Sequence, residues 1–411
     1  MFHPWIQDYI LLALRIDKVA RESANTWFVD AFYGPPELKA TVKAEPESSP
    51  HDLVRAAIKL IDSLAAQGFE PQRTRYLEKQ VRAMETTGRR LNDEPISLEE
   101  EIRRCLDICP EWTPEAYFEQ GLALCDEALP GAGSLRDRYL AWHRRNELPR
   151  EKSDLLVGIA NHVLAEVRRR TRALIDLPEG EGIELRGVTE KTWGAASWYL
   201  GNYRSRLELN TDLPRNLFNL LYLMCHEGYP GHHVEFSAKE KHLFRELGYS
   251  EQAIFIVNSP QLLISEGLAE MAFEMIFTPG QAAEWAAENI YAEADVKIHD
   301  VDLPKLFRAA TTSPDQIGGN AVHMLRDGCP EEEVVQYVLK YTLQTEAQAR
   351  KWVDSLRSPL QHVYAFAYSH GKRLMQPLVQ RNNGVGTFRR LLMEQVYPSL
   401  LVEWTKDGDA A

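Results

Sequence analysis

The sequence is poor in cysteine and contains no long uninterrupted hydrophobic run. Only five of its 411 residues are cysteines, an odd number at a low density, which is typical of free thiols in a reducing compartment. No window approaches the roughly 18 consecutive apolar residues that suggest a membrane span. The first residues also lack the basic region and cleavage site of a secretory signal. We therefore expect a cytoplasmic protein without a membrane-spanning segment.

The chain is also short of positive charge. It carries 47 lysines and arginines against 60 aspartates and glutamates, which gives a net charge of −13. Such a chain repels phosphate backbones and anionic membrane surfaces, so we expect neither nucleic acid nor a membrane among its partners. The hydrophobic fraction of 44% is typical of a globular protein.

Helical periodicity dominates the sequence, because apolar residues recur at intervals of three and four through most of the chain. The clearest exception is 198–210, whose second half alternates and predicts a strand with Tyr203, Ser205, Leu207 and Leu209 on one side. An extended peptide could bind along the edge of this strand. We predict a mainly α, multi-helical fold with a small β element near 198–210.

One segment of the chain could separate two regions. Residues 176–187 are rich in glycine, proline and acids, which favours a loop. This divides the chain into a helical N-terminal region, 1–180, and a second region, 181–411. We expect the first region to pack on a metal site in the second, with both forming one continuous structural unit.

The densest cluster of reactive side chains is the stretch 226–233, His-Glu-Gly-Tyr-Pro-Gly-His-His. It follows the run 217–225, which is apolar almost all round and is therefore expected to form a buried helix. Polar residues at the end of such a helix are costly unless they are paired or bind a ligand. A catalytic zinc ion needs three protein ligands, an open position and a base beside it. This stretch can supply two histidine ligands and the base.

The spacing of these histidines differs from the usual zinc helix, in which two histidines lie four residues apart. The fourth residue after His226 is Pro230, which cannot bind a metal. On an unbroken helix His233 would lie about 10.5 Å along the axis from His226, too far for two zinc–nitrogen bonds of about 2.0–2.1 Å. Pro230 and Gly231 can break the helix and return a histidine to the ion. His232 is our preferred second ligand, and His233 is its rival.

A second helix can complete the site. Glu266 is the candidate third ligand, and Glu270, one turn further on, can accept a hydrogen bond from a ligating histidine. Glu227 is the candidate general base, which takes a proton from the attacking water and passes it to the leaving amine. Tyr368 and His323 are the candidates for stabilising the oxyanion of the reaction.

These motifs resemble those of the bacterial domain of unknown function 885 family. The resemblance depends on HEGYPGHH at 226–233 and on ISEGLAE at 264–270, with similar pieces at 210–211 and 368–371. Leu268 stands where that family has a tryptophan. The family looks like a helical relative of the gluzincin metallopeptidases. The resemblance implies a zincin-like fold in which Glu266 and the histidines of the first motif hold the metal.

The sequence thus predicts a zinc-dependent hydrolase with one Zn²⁺ per chain. A peptidase that acts on small peptides or amide-like substrates is the leading interpretation. Two other hypotheses are a metal hydrolase of a non-peptide C–N or ester bond and a non-catalytic helical scaffold with a structural metal. Manganese or cobalt could replace zinc, because a site of two histidines and one glutamate accepts several metals.

Overall fold

A computed structural model describes residues 2–191, 194–298, 301–312, 317–358, 360–381 and 383–406 of the chain. Helices make up 67% of the structure and strands 8%, which confirms the prediction of a mainly α fold. Within the described ranges, no helix is long and apolar enough to cross a bilayer.

The helices and strands follow one another along the chain in three groups. The first group contains α1 (Pro4–Ser23), β1 (Val29–Phe32), α2 (Pro36–Ala44), α3 (Pro50–Leu64), α4 (Pro71–Leu91), α5 (Leu98–Leu106), α6 (Glu115–Ala128), α7 (Leu135–Arg145) and α8 (Leu155–Arg172). The second contains β2 (Gly182–Val188), β3 (Ala195–Gly201), β4 (Arg204–Asn210), α9 (Leu217–Glu227), α10 (His232–Lys239), β5 (Ile254–Ile256) and α11 (Pro260–Ile276). The third contains α12 (Pro279–Trp285), α13 (Ala292–Ala294), α14 (Leu303–Ala310), α15 (Gly318–Arg326), α16 (Glu331–Thr342), α17 (Glu346–Ser355), α18 (Gln361–Val379), α19 (Gly384–Met393) and α20 (Pro398–Lys406).

The predicted β element is a hairpin within a three-stranded sheet of order β2-β4-β3. Asn202 and Tyr203 connect β3 to β4 with φ of 54° and 60°, the left-handed conformation that tight hairpin turns require. Ser205, Leu207 and Leu209 are buried, as their alternation predicted, whereas Tyr203 lies in the turn before β4 and not on the strand. The hypothesis that a peptide pairs with β4 is wrong, because β2 pairs with one edge of β4 in parallel and β3 with the other in antiparallel.

The segment 176–187 lies within the fold. Its last residues form most of β2, which pairs with β4, and Glu181 is 3% exposed. Buried apolar residues from both sides of the segment, such as Trp5 and Leu401, belong to one hydrophobic core cluster. Residues 1–180 and 181–411 therefore pack against each other around one continuous core. This packing removes apolar surface of both regions from water.

Candidate metal centre

The chain between α9 and α10 makes the break that Pro230 and Gly231 predicted. The helix α9 ends at Glu227, the Tyr229–Pro230 peptide bond is cis, and α10 begins at His232. The amide of Gly231 donates to the carbonyl of Cys225 over 3.0 Å, so the chain folds back onto the end of α9. A Cβ atom on residue 231 would lie 2.5 Å from that carbonyl oxygen. Glycine is required here by this close approach.

The break brings two histidines and one glutamate together. His226, His232 and Glu266 each offer a ligand atom, and these atoms lie within 4.8 Å of one another. Glu266 Oε2 is 3.6 Å from His226 Nε2 and 3.8 Å from His232 Nε2. Two ligands of a tetrahedral zinc ion are separated by roughly 3.3 Å when the bonds are about 2.0–2.1 Å long. The cluster is therefore of the size that one such ion would fill.

The chemistry of Glu266 fits a metal ligand. Its side chain is buried, and Tyr364 Oη donates to its Oε1 over 2.5 Å. Its Oε2 has no hydrogen-bond partner among the described residues, although a buried carboxylate oxygen without a partner is costly. Burial opposes ionisation, but the neighbouring His232 and His226 outweigh it and lower the pKa of Glu266. An ionised oxygen directed at two imidazole nitrogens is a donor set that zinc accepts.

The surrounding carboxylates favour positive charge at this point. Burial opposes protonation of His226, but Glu266, Glu227 and Glu270 outweigh it and raise the pKa of His226 to about 9. The same attraction favours a divalent cation beside these side chains. Binding of a metal at His226 therefore displaces a proton from its ring.

Each histidine of the cluster is held by a second polar group. Glu270 Oε1 lies 3.5 Å from His226 Nδ1, and Tyr222 donates to Glu270 Oε2 over 3.0 Å. This is the position that the sequence predicted for Glu270. His232 Nδ1 lies 3.1 Å from Ser265 Oγ, which donates to Glu235 over 2.5 Å. Such partners fix the ring orientation of a metal-binding histidine.

His233 does not join the cluster, because both of its ring nitrogens have other partners. Its Nδ1 lies 2.7 Å from Ser205 Oγ, and its Nε2 lies 3.2 Å from Glu181 Oε2. Burial lowers the pKa of His233. Burial would raise the pKa of Glu181, but His233, Tyr229 and Arg168 outweigh it and lower the value to about 2. This ionised carboxylate accepts the Nε2–H of His233, so Nδ1 accepts from Ser205.

The crossing of α11 and α18 positions two tyrosines beside the cluster. A Cβ atom on Gly371 would lie 2.5 Å from the carbonyl oxygen of Leu263 and 2.9 Å from the Cα of Gly267. The two helices are this close because both crossing residues are glycines. The ring of Tyr368 is then stacked on that of His226, with 6.4 Å between the ring centroids. Its centroid lies 5.4 Å from that of Tyr364, whose ring is tilted relative to it.

Two cavities meet at the cluster and share four lining residues, His226, Glu227, Tyr364 and Tyr368. Glu227 is therefore next to the candidate ligands and accessible to a substrate. Burial and the nearby Glu266 raise the pKa of Tyr368 well above its ordinary value. Tyr368 thus stays protonated and can donate a hydrogen bond to an oxyanion.

The structure does not bring His323 to the cluster. Its ring lies 5.5 Å from that of Phe366 and 6.2 Å from that of Trp112, and His323 lines neither of the two cavities. The prediction that His323 stabilises an oxyanion is therefore wrong. His323 and Tyr368 lie on different helices, α15 and α18, and the sequence could not show which one faces α9.

Four residues around the cluster were missed in the sequence: Ser265, Glu235, Glu181 and Tyr364. Glu235 follows His232 by three residues and Ser265 precedes Glu266, so a local search around the candidate ligands could have found both. Glu181 and Tyr364 are far from the motifs in sequence. Only long-range packing brings them close: Glu181 contacts His233 of α10, and Tyr364 of α18 contacts Glu266 of α11.

We expect substitution of the two adjacent histidines to have opposite effects on zinc binding and on stability. We expect His232→Ala to raise the zinc Kd by more than about 100-fold, because loss of an outer-shell partner alone costs ~10–100-fold. We expect His233→Ala to keep zinc but to lower the free energy of unfolding by about 1–3 kcal/mol, because it leaves the buried hydroxyl of Ser205 without its partner and removes one of the partners of Glu181. Elemental analysis and urea unfolding would check both variants. Loss of zinc from folded His233→Ala alone would contradict the assignment.

Comparisons with known proteins show a shared fold. No family model matches the chain, and no curated protein matches it. A protein described as a "putative lipoprotein" from Colwellia psychrerythraea is similar in structure with a TM-score of 0.55 and 15% identity, over 97% of this chain and 75% of that one. A protein described as a "putative lipoprotein of unknown function" from Shewanella oneidensis gives a TM-score of 0.49 and 12% identity, over 95% of this chain and 80% of that one. At 15% identity, the first likeness shows the fold alone.

Proposed function

We propose that the protein is a zinc-dependent peptidase that cleaves short peptides or related amides. The observation that carries this proposal is the buried Oε2 of Glu266, which has no hydrogen-bond partner among the described residues and faces His226 and His232. Glu227, the candidate base, borders the same space. This arrangement matches the two-histidine, one-carboxylate ligation of catalytic zinc sites.

The open surroundings of the cluster favour a catalytic role over a structural one. A structural zinc site is closed by four protein ligands, whereas a catalytic site keeps one position open. Among the described residues, the cluster that could hold a metal has three members. One of the two cavities at this point has a volume of about 970 Å³, in the range of sites that bind small molecules. A substrate can therefore reach the cluster.

The protein's own residues divide the work of hydrolysis. Zinc supplies Lewis acidity and makes water more acidic. His226, His232 and Glu266 would hold the ion. Glu227 accepts a proton from the attacking water and delivers it to the leaving amine. The phenol of Tyr368 donates a hydrogen bond to the oxygen that becomes negative.

Metal removal tests this proposal directly. We expect the purified chain to contain one zinc ion and to release products from a mixture of tetrapeptides. A chelator should abolish this hydrolysis, and added zinc should restore it, because the ion supplies the Lewis acid. Elemental analysis and mass spectrometry of the products are the measurements.

The other outcomes of the same experiment identify the alternatives. A chain without stoichiometric metal would contradict the proposal. Stoichiometric zinc with cleavage only of acyl-amide or ester substrates would identify a hydrolase of non-peptide bonds. Stoichiometric zinc without any hydrolysis, combined with a lower melting temperature after chelation, would identify a structural metal. The cytoplasmic location belongs to the same proposal, and cell fractionation would test it.

A further inference from the structure

The two cavities at the candidate metal centre differ greatly in size. The small cavity has a volume of about 140 Å³, and the large cavity has about 970 Å³. A cavity of about 150 Å³ holds a molecule of the size of benzene. The small cavity, whose walls include Phe236 and Phe255, therefore has room for roughly one amino-acid residue. The large cavity can hold several.

The cavities also differ in charge. Asp30, Glu227 and Glu266 line the small cavity, and no described residue that lines it is a lysine or an arginine. The large cavity is lined by Glu147, Glu227 and Glu270 but also by Arg144 and Arg215, so it offers cationic side chains that the small cavity lacks. The small cavity thus attracts a cationic group, and the arginines of the large cavity can meet a carboxylate.

A bulge in strand β1 sets the direction of the Asp30 side chain. In the pairing of β1 with β5, Val29 lies opposite Ile256 and Ala31 lies opposite Phe255, so Asp30 is the extra residue of a bulge. Bulges redirect a side chain, and they are frequent next to active sites. Val29 and Ala31 are buried in the core, whereas the side chain of Asp30 is exposed and lines the small cavity.

The carboxylate of Asp30 has no hydrogen-bond or ion-pair partner among the described residues. Desolvation of this carboxylate, together with the nearby Glu266 and Glu227, outweighs the opposing effect of His232 and Arg21 and raises the pKa of Asp30 to about 6. A cation bound at this point would stabilise all three carboxylates. Glu266 Oε2, which is buried and has no hydrogen-bond partner among the described residues, marks the same cavity as a place where a ligand binds.

We propose that the site is an aminopeptidase, in which Asp30 binds the free α-ammonium group of a short peptide. This inference rests on the proposed function. The first residue occupies the small cavity, and the rest of the peptide extends into the large cavity, where its carboxylate faces Arg144 and Arg215. Hydrolysis breaks the first peptide C–N bond and forms a C–O bond to water. Glu227 carries the proton from water to the leaving amine, and a free amino acid and a shortened peptide result.

The experiment compares tetrapeptides with free and with acetylated amino termini, using the zinc-loaded chain. We expect kcat/KM to be at least about tenfold higher for the free peptides, with the first residue released as a free amino acid. Asp30→Asn should lower kcat/KM for the free peptides by about 10- to 100-fold, the loss of one charge-assisted contact, and so reduce the ratio of kcat/KM between free and acetylated peptides to near one. Asp62→Asn, at an exposed position that lines neither cavity, is the matched control.

The outcomes of this experiment distinguish a failure of the aminopeptidase inference from a failure of the proposed function. Equal cleavage of free and acetylated peptides, or cleavage at internal bonds only, would overturn the aminopeptidase inference and leave the zinc peptidase standing. An unchanged preference in folded, zinc-loaded Asp30→Asn would overturn the role of Asp30. No cleavage of any peptide by the zinc-loaded chain would overturn the proposed function itself. If Asp30→Asn fails to fold, the comparison on the unaltered chain still decides whether a free amino terminus is required.

Discussion

Glu227→Gln is expected to lower kcat by about 10²- to 10⁴-fold, the usual contribution of a general base, while the chain keeps one zinc ion. Glutamine has nearly the same shape as glutamate but cannot accept the proton of water. The three candidate ligands do not include Glu227, so metal binding should survive. Elemental analysis and peptide hydrolysis on the same sample would check both halves of the prediction.

The controls for Glu227→Gln separate its chemistry from its structure. Glu47→Gln makes the same change at an exposed position and should leave kcat and zinc content unaltered. Full activity in Glu227→Gln would mean that another group is the base. Loss of zinc from the folded variant would mean that Glu227 is itself a ligand.

Gly231→Ala is expected to lower the free energy of unfolding by about 3 kcal/mol or more and to abolish zinc binding. The new Cβ would overlap the carbonyl oxygen of His226 and would lie 2.5 Å from that of Cys225. Both obstacles are backbone atoms, so the chain between α9 and α10 must move apart, and overpacking of this kind costs at least 1–3 kcal/mol. The movement separates His226 from His232. Urea unfolding and elemental analysis measure the two effects.

Gly280→Ala is the matched control for Gly231→Ala. Gly280 lies in α12, and a Cβ atom there would meet nothing within 4 Å. Alanine should therefore be neutral or stabilise the protein by up to about 1 kcal/mol. If Gly231→Ala kept its stability and its zinc, the close return of the chain would not be what builds the site.

The sequence by itself predicted the helix before the candidate metal motif and the break within that motif. The run 217–225 is apolar almost all round, which predicts a buried helix, and α9 covers it. Helix geometry then required a break after His226, because an unbroken helix carries a later histidine along the axis. Pro230 and Gly231 are local causes of such a break, and local causes can be read from a sequence.

The choice between His232 and His233 was decided only by the tertiary structure. Both residues begin α10, and their neighbours in sequence do not distinguish them. Glu181 and Ser205 occupy the nitrogens of His233, and Glu181 reaches this position because β2 pairs with β4. His232 is directed at Glu266 instead. These contacts join distant parts of the chain, so the pattern of residues near the motif could not reveal them.

Long-range contacts also explain which oxyanion candidate lies beside His226 and why Asp30 lines the small cavity. The sequence offered both Tyr368, which the family resemblance also supports, and His323, and the close glycine crossing of α11 and α18 brought Tyr368 to His226. Asp30 precedes the metal motif by almost two hundred residues, and it reaches the small cavity because a bulge in the pairing of β1 with β5 turns it there. Local pattern determined which residues could act, and long-range packing decided which of them meet.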